Sequence, residues 1–446
     1  MPNIVPWIGT WTLAVGLASP PTSEPTAPEP TSGSTPPATP SQRDQFLAET
    51  EATTRKILAG VAAARELQPN APVRVELIDR QGVRTFVRES MYEDFTPEET
   101  QLMGRISAAL GVIPLGAEME QVLLDLYQDG VLGIYDPKRD VLLIGDFVPR
   151  AMLAMVVGHE IVHGLQDMHF DLEALQQPHR GHSERDAALS FLVEGDAQAA
   201  YLSWRAGEAG PAGISDRVLL AMRDQTLGIG GSLVAYPTLA RMMQMPYADG
   251  TATILALARS QGWAAVDELY RRPPTTTEQM LHVDKLVSRE AAHEVSVDTA
   301  TLEQHLPDFD VVWQDELGEA DLLAMLAEDL PPTKARAAAS GWGGDRFVAL
   351  ERHQDPDVTP VVIGLIAWDS REDAEEFAPL FRAYLTNRGL GEVVVERREH
   401  EVLYASQFAP HVDATGLRRL GWATLSSVAP NTPESSRASA AGHRAP

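Results

Sequence analysis

The stretch Val156–Leu172, "VVGHEIVHGLQDMHFDL", decides how the chain reads. His159 and His163 are four residues apart, and Glu160 directly follows the first. Positions i and i+4 lie one above the other on a helix. Both imidazoles can therefore aim a ring nitrogen at one point, roughly 2.0–2.1 Å from each, as tetrahedral zinc requires. A carboxylate one residue after the first histidine lies beside the metal rather than on it, where it can act as a general base. The flanks, Val156, Val157, Ile161, Val162 and Leu165, are apolar and predict a buried helix. A buried helix does not carry three polar side chains without partners. The bland alternative is a hydrogen-bonded histidine pair in a structural core.

A zinc site needs a third protein ligand. Glu194, in "FLVEGDAQAAYL", is the candidate, because Phe191, Leu192 and Val193 precede it and predict a mid-helix, buried position. The next residue, Gly195, costs about 1 kcal/mol in a helix relative to Ala. A close helix approach would justify it. The alternative for Glu194 is a solvated helix position.

Working outward, residues 43–67 have the apolar spacing of a helix. "VRVELIDRQGVRTFVRESM" alternates around Gln81-Gly82 and reads as a β-hairpin. Thr96 and Glu99 form a capping pattern ahead of a helix. "VLGIYDPKRDVLLIGDF" reads as a second hairpin turning at Asp136–Arg139. A helix opening at Ser183 or a neighbour carries Glu194. Residues 213–265 read as mostly helical, broken by the loop "GIGGS", and "RRPPTTTEQMLHVDKL" as a Pro/Thr turn with a short helical turn. Beyond about residue 335 the order strand, strand, helix, strands predicts a small α+β module. "GWGGDR" lacks the pattern of a phosphate-binding loop and reads as a tight turn, with Asp345 and Arg346 as a pair.

The formal charge of −27 argues against a nucleic-acid partner and against a polybasic membrane patch. Zero cysteines exclude disulfides, thiolate catalysis and Cys-ligated metal. Trp7–Ala18 is an apolar run of leader length, ending in the small-x-small Gly16-Leu17-Ala18 but lacking a basic start. It predicts an exported protein, secreted or in the cell envelope. No other run is long enough to span a membrane. Pro20–Gln42 is Pro/Ser/Thr-rich and reads as a disordered linker. The expected division is a leader-like segment and linker at 1–42, a catalytic domain at 43–335, a module at 336–430 and a tail at 431–446.

"HEIVHGLQD" resembles the active helix of thermolysin-like zinc peptidases, and "VEGDA" resembles the third-ligand segment of zinc aminopeptidases. Both groups are gluzincins. The phrases "YDPKRDVLLIGD", "HGLQDMHFDL", "LVEGDA", "PPTTTEQMLH", "GWGGDR" and "WDSREDAEEF" resemble a group of largely uncharacterised bacterial and archaeal proteins that carry such a helix. The resemblance implies an α+β fold: a mostly helical zincin-like domain with β-hairpins, followed by the small module. It implies one zinc ion per chain on His159, His163 and Glu194, with Glu160 as base, and a peptide or protein substrate. Thirty residues separate His163 from Glu194, a longer spacing than in either peptidase group. It also suggests that Asp167 orients a ligand histidine, against the plainer reading of a polar helix end. Gln198 stands where the thermolysin-like pattern has Asp, with Asp196 as the alternative that faces away from Glu194. Tyr247 and His282 are candidate donors to the oxyanion, without a spacing argument. In resembling peptidases an edge strand before the metal helix pairs with substrate, which predicts that use for Val141–Ile144. The competing reading is an envelope binding or structural protein with a structural or vestigial zinc site.

Overall fold

In a computed structural model, residues 40–224, 232–355, 358–406 and 414–430 are described, with the backbone of 12–15. The predicted linker up to residue 39, most of "GIGGS" and the tail 431–446 lie outside them. The chain is α+β and divides into two compact units, residues 1–289 with 315–339, and residues 290–314 with 340–446. The expected boundary at 335/336 thus falls four residues later. The second unit also takes in 290–314, whose strands pair with the later ones and not with the helical unit.

The first unit carries β1 (Thr12–Val15), α1 (Pro40–Arg65), β2 (Arg74–Ile78), α2 (Arg80–Asp94), α3 (Pro97–Ala109), α4 (Met119–Gly130), β3 (Val131–Asp136) and β4 (Val141–Gly145). The metal-motif helix is α5 (Leu153–Phe170), and α6 (Ser183–Arg205) carries Glu194. Then come α7 (Pro237–Met245), a π-helical turn at Pro246–Gly250, α8 (Thr251–Gln261), α9 (Trp263–Arg271), α10 (Thr277–Leu281), α11 (Gly318–Leu326) and α12 (Pro332–Ala339). The capping box before α3 forms as expected: Glu99 N donates to Thr96 Oγ1 at 3.1 Å, and Thr96 N to Glu99 Oε2 at 2.9 Å. At the start of α6 the backbone N–H of Ser183 goes instead to Asp315 Oδ1, at 2.9 Å.

One expected hairpin forms and the other does not. β3 and β4 pair antiparallel across Asp136–Asp140. The stretch around Gln81-Gly82 is strand β2 followed by helix α2. Asp79 Oδ1 accepts from Gly82 N at 2.6 Å and caps that helix. Val83, Val87, Ser90 and Met91 are buried at helical spacing, a period that the short alternation before them masks.

The sheet order is β1-β3-β4-β2, with β2 parallel to β4. This overturns the expectation for Val141–Ile144. β4 is paired on both sides, so its backbone offers nothing to a substrate strand. β1, inside the apolar run read as a leader, pairs antiparallel with β3, Ala14 facing Gly133.

In the second unit β5 (Glu294–Val297) pairs with β11 (Leu425–Val428), and a five-stranded sheet runs β6-β7-β8-β10-β9. Its strands are β6 (Phe309–Asp315), β7 (Trp342–Arg352), β8 (Val361–Trp368), β9 (Val394–Arg398) and β10 (Glu401–Ser406), with α13 (Arg371–Asn387) and α14 (Ala414–Thr424). "GWGGDR" is not a tight turn but the bulged start of β7. A Cβ on Gly344 would lie 2.4 Å from the backbone oxygen of His293, so the glycine admits a crossing chain. Asp345 accepts from Trp342 Nε1 at 2.9 Å.

Candidate metal centre

Helices α1, α5 and α6 pack on one another, and glycines set how closely. A Cβ on Gly158 would meet the Tyr201 ring at 2.7 Å. A Cβ on Gly195 would lie 2.4 Å from the carbonyl carbon of Gly250, so α6 and the π-helical turn cross in backbone contact. That crossing brings Tyr247 over the face of α6 that carries Glu194. Gly195 therefore has the packing reason its position suggested.

His159, His163 and Glu194 form a buried group that could hold a metal ion. His159 Nε2 and His163 Nε2 are 2.9 Å apart, and Glu194 Oε2 lies 3.1 Å from the first and 3.3 Å from the second. Ligands about 2.0–2.1 Å from a tetrahedral ion stand about 3.3–3.4 Å apart. The three atoms are thus at, or slightly inside, the spacing a metal would impose. The donor set of two imidazoles and one carboxylate suits zinc among other divalent ions.

Electrostatics favour the deprotonated, metal-binding form of His159 and Glu194. Burial drives His159 below the usual histidine pKa; His163 adds to this, and the bonds to Glu194 and Gln198 oppose it. Burial pushes Glu194 up, but the two imidazoles outweigh it and hold the carboxyl down to about 2.

Glu160 is fully buried on α5 and lies against β3. A Cβ on Gly133 would come within 3.0 Å of both its Cγ and its Oε1. The Tyr247 ring stacks on that of His159, with centroids 5.6 Å apart, and its hydroxyl bonds to Glu194. Burial first, then the charges of Glu194 and Glu160, raise the Tyr247 pKa well above its usual value, so the phenol keeps its proton.

The other candidates divide. Gln198 bonds to His159, as expected. Asp167 does not orient a ligand: it accepts from Tyr135 Oη and from Leu172 N, both at 2.8 Å, and ties the end of α5 to β3. Four residues past His163 its side chain has turned toward the sheet. His282 Nε2 is held by both carboxylate oxygens of Glu319, at 2.8 and 3.0 Å, not by the cluster residues.

The residue that touches His163 Nδ1 is Gln166, at 2.8 Å through its Oε1. Gln166 in turn donates to Asp196, the residue set aside as facing away from Glu194. Tyr127 of α4 is buried where the charge of Glu194, after burial itself, raises its pKa. Gln166 had one signal in the sequence, a polar residue inside an apolar helix. Tyr127 had none.

Residues 308–438 match a domain of unknown function (DUF8575). That region contains none of the cluster residues. No curated protein and no solved structure matches the chain.

Proposed function

We propose that the protein is a zinc-dependent metallopeptidase of gluzincin type, acting on peptide or protein substrates. The observation that carries this is the meeting of His159 Nε2, His163 Nε2 and Glu194 Oε2 with Glu160 on the same buried helix. A divalent ion held there supplies Lewis acidity, lowering the pKa of a water and polarising the scissile carbonyl. Glu160 takes the proton of the attacking water and passes it to the leaving amine nitrogen. Tyr247 keeps its proton, and in the reaction its hydroxyl would turn from Glu194 to donate to the oxygen on which negative charge develops. An exported location belongs to the same proposal and rests on the apolar run Trp7–Ala18 alone. Among the described residues no helix is long and apolar enough to cross a membrane.

One observation favours a second reading. His159 is 2% exposed, Glu160 and His163 are 0%, and Glu194 is 4%. A centre so enclosed also suits a structural metal in a binding protein. The test is chelator-sensitive hydrolysis of an unfolded protein such as casein, comparing wild type with Glu160→Gln, with bound zinc measured in both. Hydrolysis abolished in the variant while zinc stays bound supports the peptidase. Zinc bound in both with hydrolysis in neither supports the structural site.

A further inference from the structure

The hydrogen bonds behind His163 run in a fixed direction. Arg65 Nε donates to Asp196 Oδ1 at 2.6 Å, and Tyr270 Oη donates to Asp196 Oδ2 at 2.8 Å. Arg65 also pairs with Asp267 at 2.7 Å. Both oxygens of Asp196 thus already accept from donors. Gln166 Nε2 lies 2.9 Å from Asp196 Oδ2 and 3.0 Å from the backbone oxygen of Val193. Both neighbours are acceptors, so the amide NH2 must face them. Its Oε1 then faces His163 Nδ1 and can only accept. His163 must carry a proton on Nδ1, so the neutral ring presents the lone pair of Nε2 to the cluster. All four side chains, Arg65, Asp196, Gln166 and His163, are fully buried, so no water competes for these bonds.

We infer that Gln166, oriented by Asp196 and Arg65, is a positioning residue that fixes His163 as its Nδ1–H tautomer and so presets Nε2 as a metal-binding atom. A carboxylate could not replace the amide. Glu at 166 would place an oxygen against Asp196 Oδ2 and the Val193 carbonyl with no hydrogen between them. An amide accepts from a histidine at one end and donates to a carboxylate at the other without having to bind a proton. Exchanging the two groups, Gln166→Glu with Asp196→Asn, restores a donor–acceptor pair between residues 166 and 196 and conserves the charge of the network, but leaves the Val193 carbonyl without its donor.

The tautomer is read without metal, from imidazole ¹⁵N shifts of the chelated full-length protein, His163 being assigned by difference with His163→Gln. The expected state is Nδ1–H, and a predominant Nε2–H tautomer overturns the inference. This measurement stands or falls separately from the function proposed above. The affinity measurement rests on that reading and uses zinc alone, titrated by calorimetry into the chelated protein. Gln166→Glu and Asp196→Asn are each expected to weaken zinc by about 10–100-fold, and the double variant to lose less than the two changes summed. Circular dichroism of each variant confirms a folded chain. If neither variant folds, Gln166→Met, which keeps the length and removes the polarity, takes their place with the same expected loss. Unchanged zinc affinity in folded single variants overturns the inference, as does a double variant whose loss is the sum of the two.

Discussion

Replacing Gly195 by Ala tests whether a single backbone crossing builds the centre. On helix propensity alone the change should stabilise α6 by about 1 kcal/mol. The structure predicts the opposite sign. The new Cβ would stand 2.4 Å from the carbonyl carbon of Gly250, 2.7 Å from its oxygen and 2.8 Å from its Cα. Ordinary carbon contacts begin near 3.4 Å, so α6 and the π-helical turn must part by about 1 Å. The obstacle is backbone, and no rotamer change relieves it. Overpacking of this kind costs roughly 1–3 kcal/mol, occasionally more. With backbone on both sides the upper end applies, leaving a net loss of about 2 kcal/mol. At roughly 2–4 °C per kcal/mol the Tm should fall by about 4–8 °C. The same displacement moves Tyr247 relative to Glu194, and about 1 Å of misplacement at a reacting centre costs on the order of 100-fold in rate. Gly164 of α5 is the control: a Cβ there meets only the Tyr135 ring, at 3.5 Å, so Ala at 164 should gain up to about 1 kcal/mol. Calorimetric melting and casein hydrolysis of both variants measure this. If Gly195→Ala melts at or above the wild-type temperature with its hydrolysis intact, the crossing does not set the centre.

Tyr247→Phe keeps the stacking on His159 and removes the hydroxyl. Zinc affinity should stay within a few-fold while kcat falls by about 100–1,000-fold; an equal fall in affinity would mark Tyr247 as structural. For the chelated protein, urea midpoints against pH should show acid weakening in two stages. His159 has a lowered folded pKa, so stability begins to fall below the ordinary histidine range. Glu194, held down to about 2 from 4.5, adds about 3 kcal/mol that is present above pH 4.5 and lost as the pH drops toward 2. Glu194→Gln should flatten the second stage, and a profile unchanged in that variant would contradict the assignment. In the second unit, Gly344→Ala places a Cβ 2.4 Å from the His293 oxygen. Hydrogen exchange should rise in β7 and in the 290–314 segment while α5 and α6 keep their protection; protection lost equally in α5 and α6 would contradict separate units.

The sequence by itself determined the parts whose cause is local. Helical spacing and apolar flanks placed His159, Glu160 and His163 on one buried helix. The apolar run before Glu194, and a glycine needing a reason, marked the third member. A Thr/Glu capping pattern and a turn-rich stretch between two apolar runs fixed α3 and the β3–β4 hairpin. Tertiary structure decided what depends on residues far apart in the chain. The stretch at 73–91 has a strand period and a helix period in succession, and Asp79 separates them only once its cap forms. β4 is interior because β2, more than sixty residues earlier, pairs alongside it. Tyr247 reached the cluster through the contact of Gly195 with Gly250, and His282 was drawn to Glu319, an acid thirty-seven residues away. Gln166 and Asp167 both lie within a turn of His163, and their distant partners separate them: Asp196 on α6 holds the first beside the ligands, and Tyr135 on β3 holds the second at the sheet. The buried network that settles the His163 tautomer joins Arg65 to Asp196 across 131 residues. Spacing along the chain specifies which side chains share a face, but it carries no information on which distant backbone that face will meet.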